Sequence, residues 1–168
     1  MKTLQVFTRL ISITSFLPMV LLLWGIATLV SCHQGKYSEV LSSLKTLDPE
    51  MESNQFYIII PNQGCDGCIS NMEDFVYKNY KTYKNVKFIF TRITSKKILK
   101  VKLGEEILRH ENVILDLKDD IFFPEKEKEI YPMIVCVKNK RISDIFFQSP
   151  FEDGIGKLTT EIITNENQ

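Results

Sequence analysis

Two cysteines stand three positions apart in NQGCDGCISNMEDF, Asn62 to Phe75. Such a pair can cycle between dithiol and disulfide, hold a soft metal ion, or close as a structural bridge. An apolar run precedes the pair and a helix-like pattern follows it. Cys65 therefore falls at the C-terminal end of a buried strand and in the first turn of the next helix. Free N–H groups and the positive end of the helix dipole converge at such a place and favour a thiolate over a thiol. A partner at i+3 lies one turn on, within reach to close a disulfide or to expel a mixed disulfide from the first sulfur. Gly64 and Gly67 permit a tight, accessible loop.

The other candidate groups carry less. Cys136 sits among Ile134, Val135 and Val137 and reads as a small buried apolar residue. His33 and His110 are isolated from any nucleophile at readable spacing. Asp116, Asp119 and Asp120 mark a polar strand end. No Walker loop, no GxGxxG and no zinc-protease motif occurs. No second CxxC or His pair completes a four-ligand zinc site, so no metal and no cofactor is expected.

The elements that must position the pair follow from hydrophobic period. Tyr37, Val40, Leu41, Leu44 and Leu47 recur at helical spacing, and Asp48-Pro49 ends the pattern. FYIII, Phe56 to Ile60, is an uninterrupted apolar run and predicts a buried central strand. After the cysteines, Ile69, Met72, Val76, Tyr80 and Tyr83 share one helical face. NVKFIFTRIT, Asn85 to Thr94, predicts a second strand. Ser95 caps a helix with Ile98, Leu99, Leu103, Ile107 and Leu108 inward. NVILDL supplies a third strand, and DDIFFPEKEKEI a charged loop whose EKEKE run is a solvated face. Met133 to Val137 and Arg141 to Phe147 form a hairpin turning at Lys138-Asn139-Lys140, and GIGKLTTEIITNENQ holds a terminal helix. Alternating strands and helices argue for parallel strands, and the hairpin for an antiparallel edge. The fold class is α/β, a central sheet flanked by helices.

Length and charge bound the rest. The 168 residues allow one domain with a real core. Lys+Arg and Asp+Glu balance at 21 each. Nothing here predicts a nucleic-acid surface, which needs a clustered basic face; KKILKVK, with Lys96, Lys97, Lys100 and Lys102, reads as a solvated helix edge.

The N-terminus has its own signature. MKTLQVFTR is basic, and Leu10 to Ser31 has no charged residue, the layout of a secretory leader or of an uncleaved membrane anchor. LVSC, Leu29 to Cys32, resembles the lipobox of bacterial lipoproteins. That resemblance implies a diacylglyceryl group on Cys32 and cleavage before it. Either arrangement leaves Lys2 and Arg9 on the cytoplasmic side and exports the body. The expected division is a signal segment over 1–31, a spacer with a short helix over 32–55, and the domain over 56–168, tethered in the cell envelope outside the cytoplasm.

The order strand, CxxC at a helix start, strand–helix–strand, then a proline before a hairpin resembles the thioredoxin superfamily. The long separation of Cys68 from Pro132 suits its tethered TlpA and ResA type. The resemblance spans roughly residues 37–165. It implies thiol–disulfide exchange with Cys65 attacking and Cys68 resolving. It also implies a cis Pro132 packed against the pair, with Tyr131 and Pro132 lining a groove for an extended peptide. The implied partners are exported thiol or disulfide proteins, a membrane redox partner, and the lipid membrane through Cys32. Three departures stand out. Gly64 replaces the usual Trp, FYIII lacks the buried carboxylate of many relatives, and the central pair is Asp66-Gly67. An acid at 66 should raise the Cys65 pKa by like-charge repulsion. GCDGCISNMEDF also resembles the loop of heavy-metal-associated domains that binds Cu(I), but Gln63 stands where that loop has Met. A tethered module with a structural CxxC is the non-enzymatic alternative.

Overall fold

A computed structural model describes residues 37–166 of the chain. The expected signal segment over 1–31, Cys32 and His33 lie outside the described residues. The described residues from Glu39 onward form one compact unit. Its elements run α1 (37–47), β1 (Asn54–Pro61), α2 (Asp66–Asn79), β2 (Val86–Thr91), α3 (Lys96–Leu103), α4 (Glu105–Leu108), β3 (Val113–Leu115), a 3-10 turn (Lys126–Lys128), β4 (Met133–Lys138), β5 (Arg141–Phe147) and α5 (Gly154–Glu166). Among the described residues no helix is long and apolar enough to cross a membrane.

The five strands form one sheet in the order β3-β2-β1-β4-β5. β1, β2 and β3 are parallel, joined by helical crossovers, while β4 runs antiparallel to β1 and turns back as β5. β1 is central and covered on both faces, which is why its sequence is apolar without alternation. Period two still sorts its side chains. Phe56, Ile58 and Ile60 join the core under α2, α3 and α5, with Ile69, Met72, Leu99 and Leu158. Tyr57 and Ile59 join the opposite core, with Val40 and Leu44 of α1 and with Met133, Val135 and Phe147. The helix read as leading into the domain is thus packed into it.

The other expected elements are present, although β2 ends at Thr91 and α2 at Asn79, short of the expected Thr94 and Tyr83. Ser95 caps α3, its hydroxyl accepting from the Ile98 N–H at 3.4 Å. Gly104, at φ 84°, then breaks the helix in two, while the buried stripe keeps its four-residue spacing across the break. Leu99, Leu103 and Ile107 are buried, whereas Ile98, expected inward, is 56% exposed. The β4–β5 turn narrows to Asn139 and Lys140, both at positive φ, as a two-residue hairpin loop requires.

The β1–β4 ladder ends at Ile59 opposite Met133. Continued in register, it would set Ile60 against Pro132 and Pro61 against Tyr131. Neither proline has an N–H to donate, so pairing stops and the chains part. The opening they leave, at the C-terminal ends of β1 and β2, holds the cysteines.

Candidate functional site

Cys65 is the N-cap of α2, with φ −73° and ψ 97°, and its Sγ accepts the Cys68 N–H at 3.4 Å. The Cys65 carbonyl takes the first helical bond, from the Ile69 N–H at 2.9 Å. A cap of this kind is normally a hydroxyl or carboxylate oxygen. Here a sulfur occupies it, held where the helix N–H groups and dipole favour negative charge. Cys65 and Cys68 are joined as a disulfide with Cα atoms 5.3 Å apart. The two sulfurs are not equivalent to an approaching molecule: Cys65 is half-buried, whereas Cys68 is 6% exposed, under the first turn of α2.

The segment before β4 closes over the pair. The Cys65 N–H donates to the Ile130 carbonyl at 3.0 Å. Gly64, at φ 146°, makes that approach feasible, since a Cβ there would collide with the Ile130 carbonyl oxygen. This explains why glycine, and not a large aromatic residue, precedes the first cysteine. Behind the loop, the Asn62 N–H donates to the Thr91 carbonyl at 2.9 Å, and Asn62 Oδ1 accepts from the Thr94 hydroxyl at 3.0 Å.

Tyr131 and Pro132 directly follow Ile130, whose carbonyl meets the Cys65 N–H, with Tyr131 half-buried and Pro132 buried. The cis proline implied by the resemblance is absent: among the described residues every peptide bond is trans. The main chain passes from the 3-10 turn straight into β4. The Tyr131 N–H closes on the Lys128 carbonyl at 3.0 Å, and the Pro132 carbonyl accepts from the Gln148 N–H at 2.9 Å. Two of the main-chain groups offered at these positions are therefore already spent within the chain.

The remaining candidates are structural. Asp116 is fully buried and ties the start of the long connection to β4: its carboxylate accepts the Thr91 hydroxyl at 2.8 Å, the Asp120 N–H at 3.0 Å and the Ile121 N–H at 3.1 Å. Among the described residues no group of three or more His, Cys, Asp or Glu side chains could hold a metal ion. His110 packs edge-on against Tyr80 and its Nδ1 accepts the Asn112 N–H. Cys136 is a free, buried thiol. Burial, with Asp144 nearby, pushes its pKa up to about 12, so it stays protonated and unreactive.

Sequence reasoning missed Arg92, Glu129 and Ile130. Arg92 lies inside the run read as strand, and Glu129 inside the EKEKE run read as solvated. Lys126 and Glu127 are indeed exposed, but Glu129 pairs with Arg92 at 2.8 Å. One signal was available: TRIT places a lone cation at the end of an apolar strand, where it needs a partner.

No family model matches the chain, and no curated protein or solved structure matches it either. The fold and site themselves define a mixed α/β domain with a disulfide at a helix N-terminus.

Proposed function

We propose that the protein is a thioredoxin-like, membrane-tethered thiol–disulfide exchange protein acting on exported proteins. The observation that carries this is the asymmetry of the pair. A half-buried Cys65 caps α2, while Cys68 is buried one turn behind it. In the reductive direction the Cys65 thiolate attacks one sulfur of a substrate disulfide, and the first substrate thiolate leaves. Cys68, losing its proton to solvent, then attacks Cys65 Sγ; the protein disulfide closes and the second substrate thiolate leaves. Two electrons pass from the pair to the substrate, and a membrane redox partner restores them. The oxidative direction is the same sequence reversed. No cofactor takes part.

The parallel β1–β2 pair, the hairpin β4–β5 and a proline at the start of β4 beside the CxxC support the thioredoxin-like assignment. An extended substrate would lie along Tyr131 and Pro132, pairing with the Tyr131 carbonyl. Tethering through a lipid on Cys32 in the cell envelope rests on the LVSC sequence alone. The deciding experiment equilibrates the protein in thiol redox buffers. A potential between roughly −270 and −120 mV marks a poised exchange centre, whereas one below about −300 mV marks a structural bridge. In the second case the accessory-module alternative takes its place.

A further inference from the structure

Arg92 follows the last residue of β2 and holds φ 54°, a left-handed conformation that a long side chain adopts only under constraint. From behind, its N–H donates to Asp119 Oδ1 at 2.7 Å, and Asp119 is itself at positive φ. In front, its guanidinium grips Glu129 at two points, the carbonyl at 3.2 Å and a carboxylate oxygen at 2.8 Å. The same guanidinium lies 5.0 Å from the centre of the Phe123 ring. Glu129 precedes Ile130, whose carbonyl holds the Cys65 N–H. A strained backbone is thus braced on one side while its side chain fixes, on the other, the segment that meets Cys65.

We infer that Arg92 is a positioning residue for the cysteine pair, clamping Glu129 so that the 129–131 segment stays closed on Cys65 and restricts which thiols reach it. This rests on the redox reading of the pair and assigns its selectivity: small free thiols are held back, and partners that engage the 129–131 segment are favoured. Arg92 touches no reacting atom and acts only through Glu129 and Ile130.

Glutathione tests this in the full chain, held in detergent. Its thiolate attacks Cys65 Sγ, the Cys65–Cys68 bond breaks, and Cys68 leaves as a thiolate and takes a proton. A second glutathione thiolate then attacks the glutathione sulfur of the mixed disulfide and releases the Cys65 thiolate with oxidised glutathione. In Arg92→Ala the closed segment loses one half-exposed ion pair, which predicts about a fivefold faster reaction with glutathione. Amide exchange at Cys65 should accelerate by a similar factor, because the same opening frees its N–H. Arg92→Lys, which keeps the charge but not the two-point grip, should fall between. Arg92→Gly relieves the positive φ while removing the clamp, so its Tm should stay near wild type while glutathione reacts faster. That separates positioning from loss of stability. Lys138→Ala removes an ion pair at the other end of the sheet and should change neither rate.

A wild-type disulfide that glutathione cannot reduce in the folded protein, with Arg92→Ala and Arg92→Gly no more reducible, would overturn the redox reading and this role with it. A wild type that exchanges, with Arg92→Ala and Arg92→Gly reacting at the wild-type rate, would overturn the positioning role alone.

Discussion

Two adjacent residues at the end of β2 hold the long 116–132 connection by opposite means. Thr91 turns inward and gives its hydroxyl to Asp116, a fully buried carboxylate that also gathers two backbone N–H groups. Arg92 turns outward and grips Glu129 in a pair whose side chains are 29% and 34% exposed. The inner tie is a buried hydrogen-bond network with no counter-charge among its partners. It is costly to break and insensitive to salt. The outer tie is an ion pair bathed by solvent, weak and adjustable. The fold-holding end of the connection is thus locked, while the end that meets the cysteines is only latched.

The largest test strikes the inner tie. Asp116→Ala leaves two N–H groups without their acceptor and the buried Thr91 hydroxyl with only the long contact to Asp119 Oδ1 at 3.5 Å, and should destabilise the domain by about 3 kcal/mol in urea unfolding. Asp116→Asn, which keeps the shape and one carbonyl oxygen, should cost less. If Asp116→Ala were neutral, the contrast between the two ties would collapse.

Gly64→Ala attacks the latched end through sterics. The new methyl must displace the Ile130 carbonyl and accept φ 146°, for a loss of about 2 kcal/mol. Because the segment is already lifted, adding Arg92→Ala should then change Cys65 amide exchange very little. Full additivity in that double mutant would show that Arg92 and Gly64 do not act on the same segment.

Thr91→Val removes a single neutral donor and keeps the side-chain volume. A loss of about 1 kcal/mol is expected, with glutathione reactivity unchanged. A change in reactivity would mean that the inner tie also governs the cysteines.

The smallest effect is that of pH and salt on the outer tie. The hydrogen bond and charge of Arg92 hold the Glu129 carboxyl below its ordinary value. The clamp is therefore complete above the ordinary carboxylate range and is lost as pH falls through the depressed folded value. Protection of the Cys65 amide should stay level from pH 7 to 5 and drop only below about pH 4. It should also weaken as ionic strength approaches 1 M, while urea stability conferred by Asp116 does not. A Glu129→Gln variant should abolish the acid step.

Much of the scaffold was legible because it follows from local periodicity. FYIII could be read as a doubly covered strand, and Ser95, Asp48-Pro49 and the Met133–Phe147 hairpin punctuate the chain as expected. The placement of Cys65 at a helix start followed from the boundary between the two patterns. What escaped were contacts between segments remote in sequence. The Arg92–Glu129 pair spans 37 positions, and nothing local distinguishes Glu129 from its exposed neighbour Glu127. Ile98 was misplaced because it stands one position before Leu99, off the narrow Leu99, Leu103 and Ile107 stripe that is buried, and apolar period alone does not fix how wide that stripe is.

The sequence by itself determined the α/β alternation, the strand cores and the presence of a cysteine pair at the turn from β1 to α2. These depend on side-chain period and on glycine and proline, which act within a few residues. Only the tertiary structure decided that the Ile130 carbonyl meets the Cys65 N–H, that Gly64 must lack a side chain, and that Cys68 is buried while Cys65 is only half-buried. Those outcomes need the pole where β1, β2 and β4 converge, and no single stretch of the chain contains it.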